Sequence, residues 1–219
     1  MTRVKICCIS SIEEANLAIK HGAYAIGLVS NMPSGPGVIS ENLIEEIAAS
    51  VPLTVLTFLL TSKQLVDEII FQHKKCKTNT IQICDRLLSG THKQLKEALP
   101  GIKIVQVVHV IDENSLKEAI EISENVDAIL LDSGNQRLTV KELGGTGRIH
   151  DWQISRKIRE SVNVPVFLAG GLNPHNVCEA IRFVRPFGVD ICSGVRTNGK
   201  LDEQKLKTFF DKVREADNN

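Results

Sequence analysis

Val164-Pro165-Val166-Phe167-Leu168-Ala169-Gly170-Gly171-Leu172-Asn173-Pro174 packs an apolar strand, a turn of small residues and the opening of a helix into one short span. The run Val164–Leu168 is apolar on both faces, as in a parallel strand covered from both sides. Ala169-Gly170-Gly171 then lets backbone N–H groups approach a ligand with no Cβ in the way. Asn173-Pro174 predicts a helix with proline in its first turn, ahead of Val177, Ala180 and Ile181 at helical spacing.

The same unit recurs along the chain. Strand candidates are Val4–Cys8, Ala23–Val29, Leu53–Leu59, Thr80–Cys84, Lys103–His109, Val126–Leu131, Val164–Leu168 and Val189–Cys192. Their starts lie 19 to 38 residues apart, room for a strand, a helix and two short loops. Ser10-Ser11-Ile12-Glu13 resembles a capping box ahead of Ala15, Ala18 and Ile19. Ser40, Thr61 or Ser62, Asp112 or Asn114, and Asp151 open further helical patterns. Lys205–Val213 reads as the last helix, and His92–Leu99 carries the weakest signal. The pattern predicts an α/β chain folded as an eight-stranded (β/α)8 TIM barrel, a single domain over residues 1–219. A doubly wound sheet would carry fewer strands and a glycine fingerprint after its first, where this chain has Cys7-Cys8.

Composition narrows the partners. The 219 residues include 26 basic and 26 acidic side chains, so the formal net charge is zero. No basic block argues for nucleic acid or an anionic membrane. No apolar stretch approaches the ~20 residues of a membrane span. The chain is expected to be cytoplasmic. Six scattered cysteines are then expected to be free thiols. Their spacing suggests no metal site, and no cofactor motif is present.

Barrel chemistry sits at the carboxyl ends of the strands. That rule selects Cys7, Cys8, Gln82, Cys84, His109, Asp132, Asp190 and Ser193. Alternation along a strand predicts that only one of Cys7 and Cys8 looks inward, and it puts Lys5 on the face of Cys7. Asp132, directly after Ile129-Leu130-Leu131, suits a general acid at the mouth or a solvated loop opening. His109 reads more readily as hydrogen-bonded structure, and Trp152 as packing. Three small-residue turns, Gly144–Gly147, Ala169–Gly171 and Ser193-Gly194, suggest a cradle for a phosphorylated small molecule, with Gly145, Thr146, Gly147, Gly170, Gly171, Ser193 and Gly194 around the anion.

In order and at barrel spacing, these motifs resemble those of the phosphoribosylanthranilate isomerase family of tryptophan biosynthesis. The resemblance rests on Lys5-Ile6-Cys7-Cys8-Ile9-Ser10, Leu130-Leu131-Asp132-Ser133, Gly144-Gly145-Thr146-Gly147 with Asp151-Trp152, Leu168–Pro174 with Asn176-Val177, and Asp190-Ile191-Cys192-Ser193-Gly194-Val195. It implies an aldose–ketose isomerase for an Amadori rearrangement, with Cys7 as general base, Asp132 as general acid and the glycine turns on the phosphate. It also implies no cofactor, a small phosphorylated sugar as partner, and a monomer or homodimer.

The chain departs from that family at four places. Gly35-Pro36-Gly37 stands where the family usually has Ser-Pro-Arg, whose arginine helps to hold the substrate's aryl carboxylate. Cys8 replaces a glycine, Cys84 replaces the histidine of a Gln-Leu-His-Gly pattern, and Arg196 replaces a glutamate. Arg137 and Arg196 are candidate substitutes for the lost cation, and Lys5, Gln82 and Asp190 are further substrate-side candidates. The alternatives are a diverged barrel isomerase for another phosphorylated sugar or amine, and a phosphometabolite-binding protein without catalysis. A binder would need neither Cys7 nor Asp132.

Overall fold

Eight short parallel strands close on themselves in chain order in the computed structural model, which describes residues 1–218. The strands are β1 (Arg3–Ile6), β2 (Ala25–Val29), β3 (Leu56–Thr61), β4 (Thr80–Ile83), β5 (Lys103–His109), β6 (Ala128–Asp132), β7 (Val166–Leu168) and β8 (Gly188–Ile191). Between them run α1 (Ile12–Lys20), α2 (Glu41–Ser50), α3 (Val66–Cys76), α4 (His92–Ala98), α5 (Asn114–Ser123), α6 (Trp152–Ser161) and α7 (Val177–Val184). A 3₁₀ turn (Ser193–Val195) and a two-residue hairpin, β9 (Arg196–Thr197) with β10 (Lys200–Leu201), lead to α8 (Glu203–Asp217). The first and last staves seal the barrel, with Lys5 opposite Asp190 and Ile6 opposite Ile191.

Two apolar layers hold it together. Between sheet and helices lies the larger one, with Ile26, Leu28, Ile81, Ile129, Leu168 and Val189 facing Ile44, Ile69, Ile158, Ile181 and Phe209. Inside the barrel lies a smaller one built from Ala25, Phe58, Val105, Val107, Leu130 and Phe167. Phe58 and Phe167 meet edge to face, with ring centroids 6.0 Å apart.

Several boundaries fall elsewhere than the sequence suggests. β3 begins at Leu56, because Pro52–Thr54 form a turn that leaves Leu53 98% exposed. Thr61 ends β3 and does not cap a helix; α3 starts at Val66 with no side-chain cap. α5 likewise has Glu113 at its cap with no side-chain bond, and Asp112 instead accepts from the Asn114 N–H at 2.8 Å. Pro174 lies in the turn before α7, which starts at Val177. The weakly signalled His92 segment is a helix, held by a full capping box between Thr91 and Gln94. Among the described residues, no helix is long and apolar enough to cross a membrane.

Candidate active site at the barrel mouth

A cavity open to solvent occupies the mouth at the carboxyl ends of the strands. Cys7 follows β1 and Asp132 ends β6, and both line this cavity. So do Gly145, Thr146, Gly147, Gly170, Gly171 and Ser193, so that all three small-residue turns converge on one space. Gly194 lies just behind, where a Cβ would come within 2.3 Å of the Leu172 carbonyl oxygen. Gly145, Gly147, Gly170 and Gly171 all take positive φ, between 63° and 81°, a region closed to most side chains. Ser133 and Thr146 tie the Gly144–Gly147 turn to the end of β6 through a 2.7 Å hydroxyl–hydroxyl hydrogen bond.

The floor under Cys7 is polar. Lys5, fully buried, pairs with Asp190 across the β1–β8 seam at 2.9 Å. Burial opposes the ammonium charge, yet the facing Asp190 carboxylate outweighs it and holds Lys5 above its ordinary range. The same Nζ sits 5.2 Å from the centre of the Phe58 ring. Gly27 on β2 makes room for this arrangement: a Cβ there would lie 2.9 Å from the Cys7 sulfur and 3.1 Å from Lys5 Nζ. Asp132 is buried, and its Oδ1 accepts the Ser133 N–H at 2.7 Å. Its Oδ2 fills the space where Gly144 would carry a Cβ, 2.7 Å away.

The two cysteines do not alternate as a strand would require. Both line the cavity. β1 ends at Ile6, and Cys8 takes φ 61°, a left-handed turn that swings its side chain back towards the mouth. This turn explains one departure by another. A Cβ at Gly37 would lie 2.5 Å from the Cβ of Cys8, so a side chain at 8 leaves no room for one at 37. The arginine expected at that point of the resembled motif is therefore absent from the loop that faces Cys8.

Neither proposed substitute reaches the cavity. Arg137 lies on the surface with Asp112, 3.3 Å away. Arg196 lies behind the Cys7–Cys8 backbone, donating to the Cys8 carbonyl at 2.6 Å and the Cys7 carbonyl at 3.4 Å, and pairing with Glu14 at 2.8 Å. Of the other candidates, Gln82 and Asp190 line the cavity, whereas Lys5 is sealed beneath it. Gln82 Oε1 is buried without a protein partner. His109 is structural, its Nε2 within 3.0 Å of the Cys84 carbonyl. Trp152 packs against the outer core. Met32 and Leu143, which also line the cavity, carried no signal in the sequence, because they reach the mouth only through loop folding. No three His, Cys, Asp or Glu side chains among the described residues gather as a metal would need.

His150 braces the wall behind Gly170, with Nε2 2.7 Å from the Ser155 hydroxyl. Burial pushes its imidazole down to about 4. The unfolded chain therefore binds a proton between pH of about 4 and 6.5 that the folded chain does not, so stability falls as pH drops through that window. Urea unfolding at about pH 7 and about pH 5 should show this loss. It should be smaller, though not abolished, in His150→Gln, since burial also lowers His73 and His92. An equal loss in both chains would contradict the assignment.

Closed parallel barrels that keep their polar groups on this rim form a class of enzymes, and this chain is one of them. A model of the family described as N-(5'-phosphoribosyl)anthranilate (PRA) isomerase matches residues 4–212. The N-(5'-phosphoribosyl)anthranilate isomerase of Methanosarcina acetivorans is 36% identical, over 97% of this chain and 93% of its own. The phosphoribosyl anthranilate isomerase of Thermotoga maritima superposes with a TM-score of 0.80 at 30% identity, covering 98% of this chain and all of the other. Another solved structure, an isomerase in complex with reduced 1-(o-carboxyphenylamino)-1-deoxyribulose 5-phosphate, gives 0.77 at 28% identity, covering 98% of this chain and 100% of its own. The chain belongs to the N-(5'-phosphoribosyl)anthranilate isomerase family.

Proposed function

We propose that Cys7 and Asp132 carry the acid–base steps of this family's reaction in the cavity at the barrel mouth. The chain is an isomerase that converts N-(5'-phosphoribosyl)anthranilate into 1-(2-carboxyphenylamino)-1-deoxyribulose 5-phosphate. Asp132 protonates the furanose ring oxygen, and the C1–O bond breaks to leave an iminium at C1. Cys7, as thiolate, takes the C2 proton, and the electron pair moves to form the enolamine. Return of a proton to C1 and loss of the C2 hydroxyl proton give the ketone. The phosphate rests against Gly145–Gly147, Gly170-Gly171 and Ser193-Gly194, which fix the sugar while its other end reacts.

One observation carries this reading: a thiol, a carboxyl and three turns of small residues, from five separate stretches of the chain, line a single cavity. Among the described residues, the cavity lining contains no arginine or lysine, so the aryl carboxylate is held without a cation. A hydrogen bond to a charged group contributes ~1.5–3 kcal/mol, so affinity for this substrate is expected to be one to two decades weaker than with a bidentate arginine. The protein is read as a single domain working in the cytosol.

Freshly generated N-(5'-phosphoribosyl)anthranilate tests the reading directly. Turnover to the ketose is expected, with competitive inhibition by inorganic phosphate. Phosphate binding without turnover would leave a binding protein and remove the isomerase assignment.

A further inference from the structure

Cys8 and Cys192 meet at the seam between the first and last staves. The β1–β8 pairing ends at Ile6 and Ile191, and the Cys7 N–H extends it by one bond to the Ile191 carbonyl at 2.8 Å. Past that point Cys8 turns left-handed, and its sulfur comes to lie 2.7 Å from the sulfur of Cys192. A disulfide needs ~2.05 Å, so the two sulfurs lack only about 0.7 Å of closure. The Cys8 side chain occupies the space where a Cβ on Gly37 would fall, and its sulfur contacts the Pro36 carbonyl at 3.7 Å. The Cys8 thiol also meets that of its chain neighbour Cys7, whereas Cys84 is buried against Gln82 and Cys178 faces Glu215.

We propose that Cys8 and Cys192 form a reversible thiol–disulfide site at the barrel mouth, oxidised by low-molecular-weight disulfides such as oxidised glutathione. The two thiols divide the roles. Cys192 is half-buried and opens to the cavity, whereas Cys8 is buried. Contact between the two sulfurs, with Arg196 close by, holds the Cys192 thiol below its ordinary value, while the same contact raises Cys8. Cys192 thiolate attacks one sulfur of the small disulfide, forming a mixed disulfide and expelling one thiolate. Cys8 loses its proton to solvent and attacks the Cys192 sulfur, expelling the second. The protein gives up two electrons and two protons, and the oxidant becomes two thiols.

The bond joins the residue after Cys7 to the residue before Ser193. It therefore ties the thiol side of the mouth to one of the turns proposed to hold phosphate, and turnover falls in the oxidised form. This consequence rests on the isomerase reading; the cross-link does not.

The full-length chain in a glutathione buffer provides the test. Oxidation should remove two of the six titratable thiols, yield a Cys8–Cys192 cross-linked peptide in a non-reducing digest, and lower turnover in proportion to the cross-linked fraction, with recovery in dithiothreitol. Cys8→Gly, which suits the left-handed turn, should stop at a mixed disulfide on Cys192. Cys192→Ser should form no cross-link and keep its turnover at oxidant levels that cross-link the parent chain. Six remaining thiols, or a parent chain that stops at the mixed disulfide, would overturn the site. A cross-linked chain with undiminished turnover would overturn its effect on catalysis, and a reduced chain with no turnover would count against the isomerase reading alone.

Discussion

Cys7→Ala is expected to lower kcat by ~10²–10⁴-fold while leaving phosphate affinity unchanged. The range is that of a lost general base. The thiol is buried to 6% exposure and rises from the seam above the Lys5–Asp190 pair, with Gly27 clearing the space beside it. Alanine keeps the backbone and the small volume, so the staves should close as before. The turns proposed to hold phosphate come from β6, β7 and β8 and do not depend on the Cys7 side chain. Steady-state kinetics with N-(5'-phosphoribosyl)anthranilate, together with the inhibition constant for inorganic phosphate, separate the two effects. A variant with kcat within tenfold of the parent would remove Cys7 from the mechanism.

Asp132→Asn should produce a loss of the same order, for a different reason. Asparagine keeps the shape and the acceptor that takes the Ser133 N–H at 2.7 Å, so the end of β6 stays where it is. What disappears is the proton that the ring oxygen must receive before the furanose can open. An amide cannot supply it, and kcat should fall ~10²–10⁴-fold. Circular dichroism and urea unfolding should match the parent, which distinguishes lost chemistry from lost structure. The two side chains serve one reaction, so the double variant should cost far less than the product of the single losses. Retained turnover in Asp132→Asn would place the acid elsewhere on the rim.

How much of the site could be read in advance depends on which residues one follows. Asp132 could be placed at a strand end because the apolar run Ile129-Leu130-Leu131 gives way there to a carboxyl. The glycine turns could be placed because a positive φ and a missing Cβ leave a compositional trace. The Lys5–Asp190 pair shows only as two charges inside apolar strands, Val4-Lys5-Ile6 and Val189-Asp190-Ile191. That signal suits substrate contact as well as mutual pairing, and the choice depends on two staves that are neighbours only when the barrel closes. Arg196 is the opposite case: a cation near the site in sequence, yet turned behind the Cys7–Cys8 backbone by Glu14.

The periodic alternation of buried strands and amphipathic helices was enough by itself to determine the eightfold barrel, and β5 was legible from end to end at Lys103–His109. Such patterns are local, since each strand needs apolar residues on both faces whatever its neighbours are. The direction of Cys8 was not local. It depends on a left-handed turn after β1, on the empty position at Gly37 and on the sulfur of Cys192, contributed by residues 29 and 184 positions further along the chain. Only pairing of the first stave with the second, and its closure against the last, bring these groups together, because packing contacts between distant segments leave no periodic mark on either one.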